Sequence, residues 1–381
     1  MEFNCTRKDI QNGVSLVERI VTTKSTLPII GNILLEADKN SVKLSANNLE
    51  IGLELEIEAK VIKSGAVLLP AKTLAGIVSK LPEGKVGFKL NENGRVKISY
   101  GQSHLNVHTL PPDEFPMLPK VKEEKSFSID PKQLAMMIRQ TIFSVSSNED
   151  KYILTGVLLE NGKSGITGDN SNIRMVATDG YRMAKRGEKI KSEKGGQISV
   201  IVPSKALVEL LRVLEMGENE NETIEVVLSS DQIAFRYDKM YLVSRLIQGQ
   251  FPDYKQVIPK KCGGKILIST REFLQSAERA AVIASGSANI VRLEIKGGEL
   301  HLSANTPDVG TIDERIEAEI KEGEKIQVAF NVRLITDVLK AVEGEKVQVE
   351  FAEALGPGVF KEIDKNDFLY IVMPIRTQEA V

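Results

Sequence analysis

The chain has 381 residues, 42% of them hydrophobic, with 50 Lys+Arg against 52 Asp+Glu and a formal net charge of -2. That excludes a disordered chain, suggests two or three domains at roughly 150 residues each, and argues against a uniformly basic nucleic-acid binder. Two cysteines far apart, Cys5 and Cys262, exclude a disulfide scaffold and argue against a Cys-ligated zinc site.

Taken in chain order, the elements repeat three times. Each copy opens with a short strand (Glu2–Cys5, Ser126–Ile129, Lys265–Ile268) and an amphipathic helix (Thr6–Thr22, Pro131–Val145, Thr270–Ser285). Alternating strands follow and end in related turns, Leu44-Ser45-Ala46-Asn47-Asn48, Val176-Ala177-Thr178-Asp179-Gly180 and Leu302-Ser303-Ala304-Asn305-Thr306. Ala46, Ala177 and Ala304 are 131 and 127 residues apart. A strand then feeds a second helix at Leu69-Pro70-Ala71-Lys72, Val202-Pro203-Ser204-Lys205 and Phe330-Asn331-Val332-Arg333. Proline at a helix start removes no intrahelical hydrogen bond. Each copy closes with strands near Arg95–Thr109, Gln232–Gln248 and Phe368–Arg376. Pro-rich, charged stretches from Leu110 to Lys125 and from Phe251 to Gly264 separate the copies as linkers do. The sequence therefore predicts an α+β chain of three domains, 1–122, 126–258 and 263–381, each with two helices packed on antiparallel sheets.

No catalytic constellation stands out. His104 and His108 have the spacing of a helical zinc pair, but in a strand they lie roughly 13 Å apart, too far for one metal. The glycines of Gly162–Gly168 lack the Lys-Ser/Thr ending of a phosphate loop and read as a hairpin turn. Asp169-Asn170 and Asp179-Gly180 read as turn dipeptides. As a carboxylate pair, Asp169 and Asp179 leave one enzymatic alternative open, a metal-dependent nuclease or hydrolase. A scaffold without any DNA role is a third reading. No cofactor or metal is expected. The N-terminus has no apolar h-region, and no apolar run approaches the ~18–20 residues that span a bilayer, so the expectation is a cytoplasmic protein with no membrane partner.

The charge is unevenly placed. The six predicted helices carry 13 basic against 8 acidic residues, leaving 37 against 44 elsewhere. In the first helix Ile10, Val14, Val17 and Val21 form an apolar stripe, with Lys8, Asn12, Ser15 and Arg19 opposite. Lys132 and Arg139, Lys205 and Arg212, and Arg333 and Lys340 are each seven apart, two helical turns, and so share a face. Lys and Arg spaced this way, without base-reading motifs, suit sequence-independent phosphate contact.

Four motifs, Thr26-Leu27-Pro28-Ile29-Ile30-Gly31-Asn32, Val176-Ala177-Thr178-Asp179-Gly180-Tyr181-Arg182, Phe251-Pro252-Asp253-Tyr254 and Tyr370-Ile371-Val372-Met373-Pro374-Ile375-Arg376, together resemble the β subunit of bacterial DNA polymerase III, the sliding-clamp family. The resemblance spans essentially the whole chain, with the repeat in register. It implies the DNA clamp fold in a head-to-tail dimeric ring, helices lining the hole, and a non-enzymatic processivity factor that encircles duplex DNA. Geometry agrees with six domains per ring. Domains with a radius of gyration of ~14 Å leave a hole of roughly 36 Å when six close, against a duplex about 20 Å across.

The resemblance further implies, as partners, double-stranded DNA, the replicative polymerase, a clamp-loader ATPase, other clamp-binding repair proteins and a second copy. The implied partner-peptide pocket is Leu154, Thr178, Gly180, Tyr181, Arg182, Met183, Pro252, Val257, Val372, Met373, Pro374, Ile375 and Arg376. The implied subunit contact is an edge strand bearing Leu105 and Val107 against a helix bearing Val282 and Ile283. Lys24, Lys72 and Tyr152 join Lys8, Arg19, Lys132, Arg139, Lys205, Arg212, Arg333 and Lys340 as DNA-facing candidates. The sequence departs from the family pattern at Tyr181 and Met183, where His and Leu are frequent, and at Lys24, where an Arg contacts DNA. It also departs in the tail Thr377–Val381.

Overall fold

The computed structural model describes residues 1–22, 27–162, 169–190, 193–217, 223–323, 326–352, 356–363 and 367–376. Lys24, Thr26, most of the Gly162–Gly168 turn and the tail Thr377–Val381 lie outside the described residues.

The first repeat contains β1 (Glu2–Thr6), α1 (Arg7–Val17), β2 (Asn32–Asp38), β3 (Ser41–Asn47), β4 (Ile51–Glu58), β5 (Lys60–Lys63) and β6 (Gly65–Pro70), then α2 (Ala71–Val78), β7 (Lys85–Leu90), β8 (Arg95–Tyr100) and β9 (Ser103–His108). The second contains β10 (Lys125–Ile129), α3 (Pro131–Ile142), β11 (Gly156–Asn161), β12 (Ile173–Thr178), β13 (Arg182–Glu188), β14 (Glu193–Lys194) and β15 (Ser199–Pro203), then α4 (Ser204–Met216), β16 (Ile224–Leu228), β17 (Gln232–Tyr237) and β18 (Met240–Arg245). The third contains β19 (Gly264–Ser269), α5 (Thr270–Ala284), β20 (Ile290–Lys296), β21 (Glu299–Thr306), β22 (Gly310–Glu322) and β23 (Ile326–Asn331), then α6 (Val332–Ala341), β24 (Lys346–Phe351), β25 (Gly358–Glu362) and β26 (Phe368–Val372).

Local chemistry starts these helices where the sequence places them. Thr6 accepts from the Asp9 N–H, Asp130 from those of Lys132 and Gln133, Ser269 from Glu272 and Asn331 from Arg333. Each cap satisfies amides that the helix cannot bond internally. Along α1, Ile10, Val14 and Val17 are buried while Lys8, Asn12 and Ser15 are exposed. The helix ends earlier than its apolar pattern suggests. Glu18–Ile20 tighten into a 3-10 turn, and the Asn48 side chain donates to the Ile20 carbonyl at 3.0 Å.

The chain divides into two compact units. One comprises Met1–Ala135, Lys191–Gly196 and Lys205–Leu246; the other comprises Met136–Ile190, Gln197–Ser204 and Ile247–Val381. The first unit holds a five-stranded sheet, β5-β1-β7-β8-β9, and a nine-stranded sheet, β14-β10-β16-β17-β18-β4-β3-β2-β6. The second holds a twelve-stranded sheet, β15-β11-β12-β13-β26-β25-β24-β19-β22-β21-β20-β23. Described strand pairs are antiparallel.

Each unit contains one junction at which the last strand of one repeat is added to a strand of the repeat before it. In the first unit β18 pairs with β4, setting Leu242 opposite Leu53. In the second β26 pairs with β13, setting Tyr370 opposite Ala184. The core of the second unit lies between this sheet and α5 and α6. Phe273, Ala277, Ala280, Ile335, Val338 and Leu339 pack there on Phe330, Phe360, Tyr370 and Val372. Tyr370 keeps its hydroxyl satisfied in this core by donating to the Leu334 carbonyl at 2.9 Å. No helix among the described residues is long and apolar enough to cross a membrane.

Candidate functional site

The expected pocket residues fall in the second unit, around the β13–β26 junction. The turn between β12 and β13 is self-built. Asp179 Oδ1 accepts from the Tyr181 and Arg182 amides at 2.8 and 3.0 Å, and Thr178 Oγ1 accepts from the Gly180 amide at 3.1 Å. Gly180 has φ +95°, a left-handed conformation that favours glycine. The opposite wall is chain beyond β26, where the Met373 amide donates to the Tyr181 carbonyl at 2.9 Å.

Between these walls lies an apolar floor. Leu158, Val176, Met183, Leu369 and Ile371 form one cluster with Ile201, Ile247, Tyr254 and Val359, and Ile153, Phe251 and Ile258 pack against it. Above the floor, Tyr181 is 65% exposed, Val257 45% and Met373 42%, a concentration of exposed apolar surface in one place. Thr178, Leu154, Pro374 and Ile375 are half-buried, while Gly180, Pro252 and Arg376 are exposed.

Two expected members face the other way. Val372 packs with Ala184 and Tyr370 in the helix-side core, because alternate strand residues face opposite sides. Its neighbour Ile371, absent from the expected pocket, supplies the floor. Arg182 likewise turns to the helix side. Its guanidinium lies 5.6 Å from the Phe143 ring centroid, its Nε donates to Asp179 at 3.0 Å and its Nη1 to Asp337 at 2.5 Å. Burial alone would lower its pKa, but the Asp337 bond, with the charge of Asp179, holds it above the ordinary value. Arg182 is thus a fastener of the turn. At the rim stands Lys151, which donates to the Asp179 carbonyl at 3.1 Å and sits 5.2 Å from the Tyr181 ring centroid.

Beside the floor, on the same sheet face, is a polar network that the sequence did not announce. Lys185 and Asp169 pair with no side-chain surface exposed. Burial pushes the Lys185 ammonium below its ordinary pKa, against the pull of Asp169. Arg174 donates to Glu160 at 3.0 Å and to the Gly162 carbonyl, and the Tyr254 hydroxyl donates to Glu160 at 2.7 Å. Burial, then the Glu160 contact, raises the Tyr254 phenol well above its ordinary pKa. A charged residue two places from Met183 on an otherwise apolar strand face was the available signal for this network.

These bonds also account for the two aspartates of the enzymatic alternative. Asp169 is committed to Lys185 and the Ser171 amide, and Asp179 to the turn and Arg182. The metal-dependent nuclease reading is not supported.

Of the basic helix residues, Lys8, Arg19, Lys72, Lys132, Arg139, Lys205, Arg333 and Lys340 are exposed, as is Tyr152, and Arg212 is half-buried. Some are partly offset. Lys340 meets Glu278 at 2.9 Å, Arg212 meets Glu209 at 3.5 Å and Arg139 meets Glu343 at 3.9 Å. Leu105 is half-buried and Val107 buried on β9, the outermost strand of its sheet. Near the end of α5, Val282 is 68% exposed and Ile283 half-buried.

Comparison with known proteins places the chain among relatives over its full length. The family models described as the DNA polymerase III beta subunit match in order, the N-terminal domain at residues 1–119, the central domain at 128–253 and the C-terminal domain at 255–376. The beta sliding clamp of Staphylococcus epidermidis is 31% identical over 386 residues, covering 99% of this chain and 100% of the relative. That of Bacillus subtilis is 30% identical over 387 residues with the same coverage. Among solved structures, the Bacillus subtilis DNA polymerase sliding clamp superposes with a TM-score of 0.89 at 29% identity, covering 99% of both chains. A sliding clamp from Bartonella birtlesii bound to griselimycin does so with 0.89 at 28% identity, covering 99% of this chain and 100% of that one.

Proposed function

The chain belongs to the DNA polymerase III beta subunit family and is a sliding clamp, a processivity factor of DNA replication, and on that premise we propose how its surfaces divide the work. Three domains, 1–122, 126–258 and 263–381, supply helices whose exposed Lys and Arg face duplex DNA and contact phosphates without reading sequence. The groove over Met183 and Ile371 captures an extended peptide from the replicative polymerase, the clamp loader or repair proteins. Apolar anchors seat beside Val257 and Met373, and Lys151 stands at the rim. The chain performs no chemistry of its own in this reading, and it acts in the cytoplasm.

One observation supports ring closure: the same strand addition occurs at both internal junctions. Leu53, Ala184 and Ile312 hold equivalent places, lying opposite Ala46, Ala177 and Ala304. Leu53 and Ala184 receive Leu242 and Tyr370 from an added strand. Residues Gly310–Ile316 of β22 have no strand on the corresponding side among the described residues, and neither does β9. A second copy satisfies both edges. Leu105 then meets Ile312 of the partner subunit, with Val107 beside Gly310 of the partner subunit and Val282 and Ile283 closing over the apolar side. Two such seams make a head-to-tail dimer.

Retention on circular DNA tests this reading. The loaded protein is expected to stay on nicked circular DNA and to run off the linear form, with a solution mass of two chains. A monomer that leaves both templates equally fast overturns it. Neutralising Lys132 and Lys205 together is expected to lower the salt dependence of non-topological DNA binding by about one to two counterions, leaving retention on circles intact.

A further inference from the structure

The chain has three histidines, and two of them, His104 and His108, stand on β9. Both are exposed, as is Asn106, while Leu105 and Val107 point toward the apolar side. The free edge of β22 alternates in the same way. Thr311, Asp313 and Arg315 are exposed; Ile312 and Glu314 are half-buried. Glu314 is already matched by Arg279 of α5, with two bonds of 2.6 Å. Asp313 and His104 have no ion-pair partner among the described residues.

The two internal junctions fix which residues would meet. The Arg245 amide donates to the Glu50 carbonyl and the Met373 amide to the Tyr181 carbonyl, both at 2.9 Å. Counting back along the added strand, Tyr241 lies opposite Glu54 and Leu369 opposite Lys185. At a seam in the same register, the His108 backbone amide would donate to the Val309 carbonyl of the partner subunit, and His104 would lie opposite Asp313 of the partner subunit. Resting on the dimer reading above, we propose that His104 and Asp313 of the partner subunit form a proton-dependent cross-strand pair, so that the seam tightens as pH falls through the histidine range.

The surroundings are those of an exposed strand face. On β8, Ser99 lies opposite His104 and Lys97 lies diagonal to it. On β21, Ser303 lies opposite Asp313 and His301 diagonal; Arg292 of β20 lies opposite Ser303 on its far side. Arg315 and Thr311 flank Asp313 on its own strand. Lys97 and Arg315 oppose protonation of His104, whereas the carboxylate of Asp313, directly opposite, favours it. His301 belongs to a separate contact, 3.3 Å from Glu299.

The sign follows from linkage. A carboxylate directly opposite an imidazole favours the protonated ring. The pair therefore contributes on the acid side of the histidine range and is lost as pH rises through it. A cross-strand pair of this kind changes association by roughly 1.4- to 5-fold, and by roughly 2- to 30-fold for the two seams of one ring.

Sedimentation equilibrium of the full chain at about pH 6 and about pH 8 tests this. The wild type is expected to dissociate more at the higher pH. His104→Gln and Asp313→Asn should each flatten the dependence, while His108→Gln and His301→Gln preserve it. A wild-type dimer with equal dissociation at both pH values, or a dependence that survives in His104→Gln, overturns the pair and leaves the dimer reading standing. A chain that is monomeric at every pH overturns both.

Discussion

The two internal junctions share a frame and differ in what lies on it. Both add a strand in the same register, and both enter it through the same turn, with Asn48 accepting from the Glu50 and Ile51 amides as Asp179 does from Tyr181 and Arg182. At the β4–β18 junction the linker fills the space. Leu118 and Val121 are 9% and 5% exposed, packed with Val227, Ala234, Val243 and Tyr241. Gly52 makes room, since a Cβ there would stand 2.6 Å from Leu118. The Tyr241 hydroxyl ties the linker down, donating to Pro119 at 2.7 Å and accepting from the Val121 amide at 3.2 Å.

At the β13–β26 junction the equivalent of Gly52 is Met183, and the linker tyrosine, Tyr254, reaches across to Glu160. Val257 and Met373 are left in solvent. One frame carries a sealed joint in one place and an open groove in the other, and the open version has a buried charged network beside it on the same face.

That contrast can be broken in decreasing steps. Asp169→Asn leaves the Lys185 ammonium buried and unmatched and is expected to cost about 3–5 kcal/mol in urea unfolding, with no gain or loss of nuclease activity. Leu118→Ala at the sealed joint is expected to cost about 2–4 kcal/mol while leaving partner-peptide affinity unchanged. A matching loss of peptide affinity would show that the joints are not independent. Val257→Ala and Met373→Ala reverse the pattern. Each should change stability by less than about 0.5 kcal/mol yet weaken capture of a Leu- and Phe-anchored peptide by roughly tenfold, measured by fluorescence anisotropy.

Much of this was legible in the sequence because it is local. Helix starts follow from Thr6, Asp130, Ser269 and Asn331 as caps and from the prolines at Pro70 and Pro203. The turns at Asn48 and Asp179 follow from their own side chains. The end of α1 was misjudged because the side chain that takes the Ile20 carbonyl belongs to Asn48, distant in the chain. Strand partners across the junctions are likewise non-local, and composition carries no trace of them. The groove was legible as motifs but not as faces. Resemblance brought Val372 and Arg182 to the site, and strand alternation turned both to the helix side, giving Ile371 the floor. The Lys185–Asp169 and Arg174–Glu160–Tyr254 contacts join residues distant in the chain, and nothing in the sequence pairs Asp169 with Lys185 or Tyr254 with Glu160.

The added-strand junction has a consequence for how such a chain can grow. On the dimer reading proposed above, each repeat brings one strand to give (β9, β18, β26) and one edge to receive (β4, β13, β22); among the described residues the pairs β18–β4 and β26–β13 are joined. Joining repeats consumes one of each, so a chain of any length ends with one giver and one receiver unspent. Two, three or four repeats would be equally able to polymerise with themselves. Whether the product is a finite closed body or an endless filament is then a matter of the rotation per repeat, not of affinity. Duplicating or deleting a repeat would alter the count at which the last edge returns to the first, and the wrong count would give fibres.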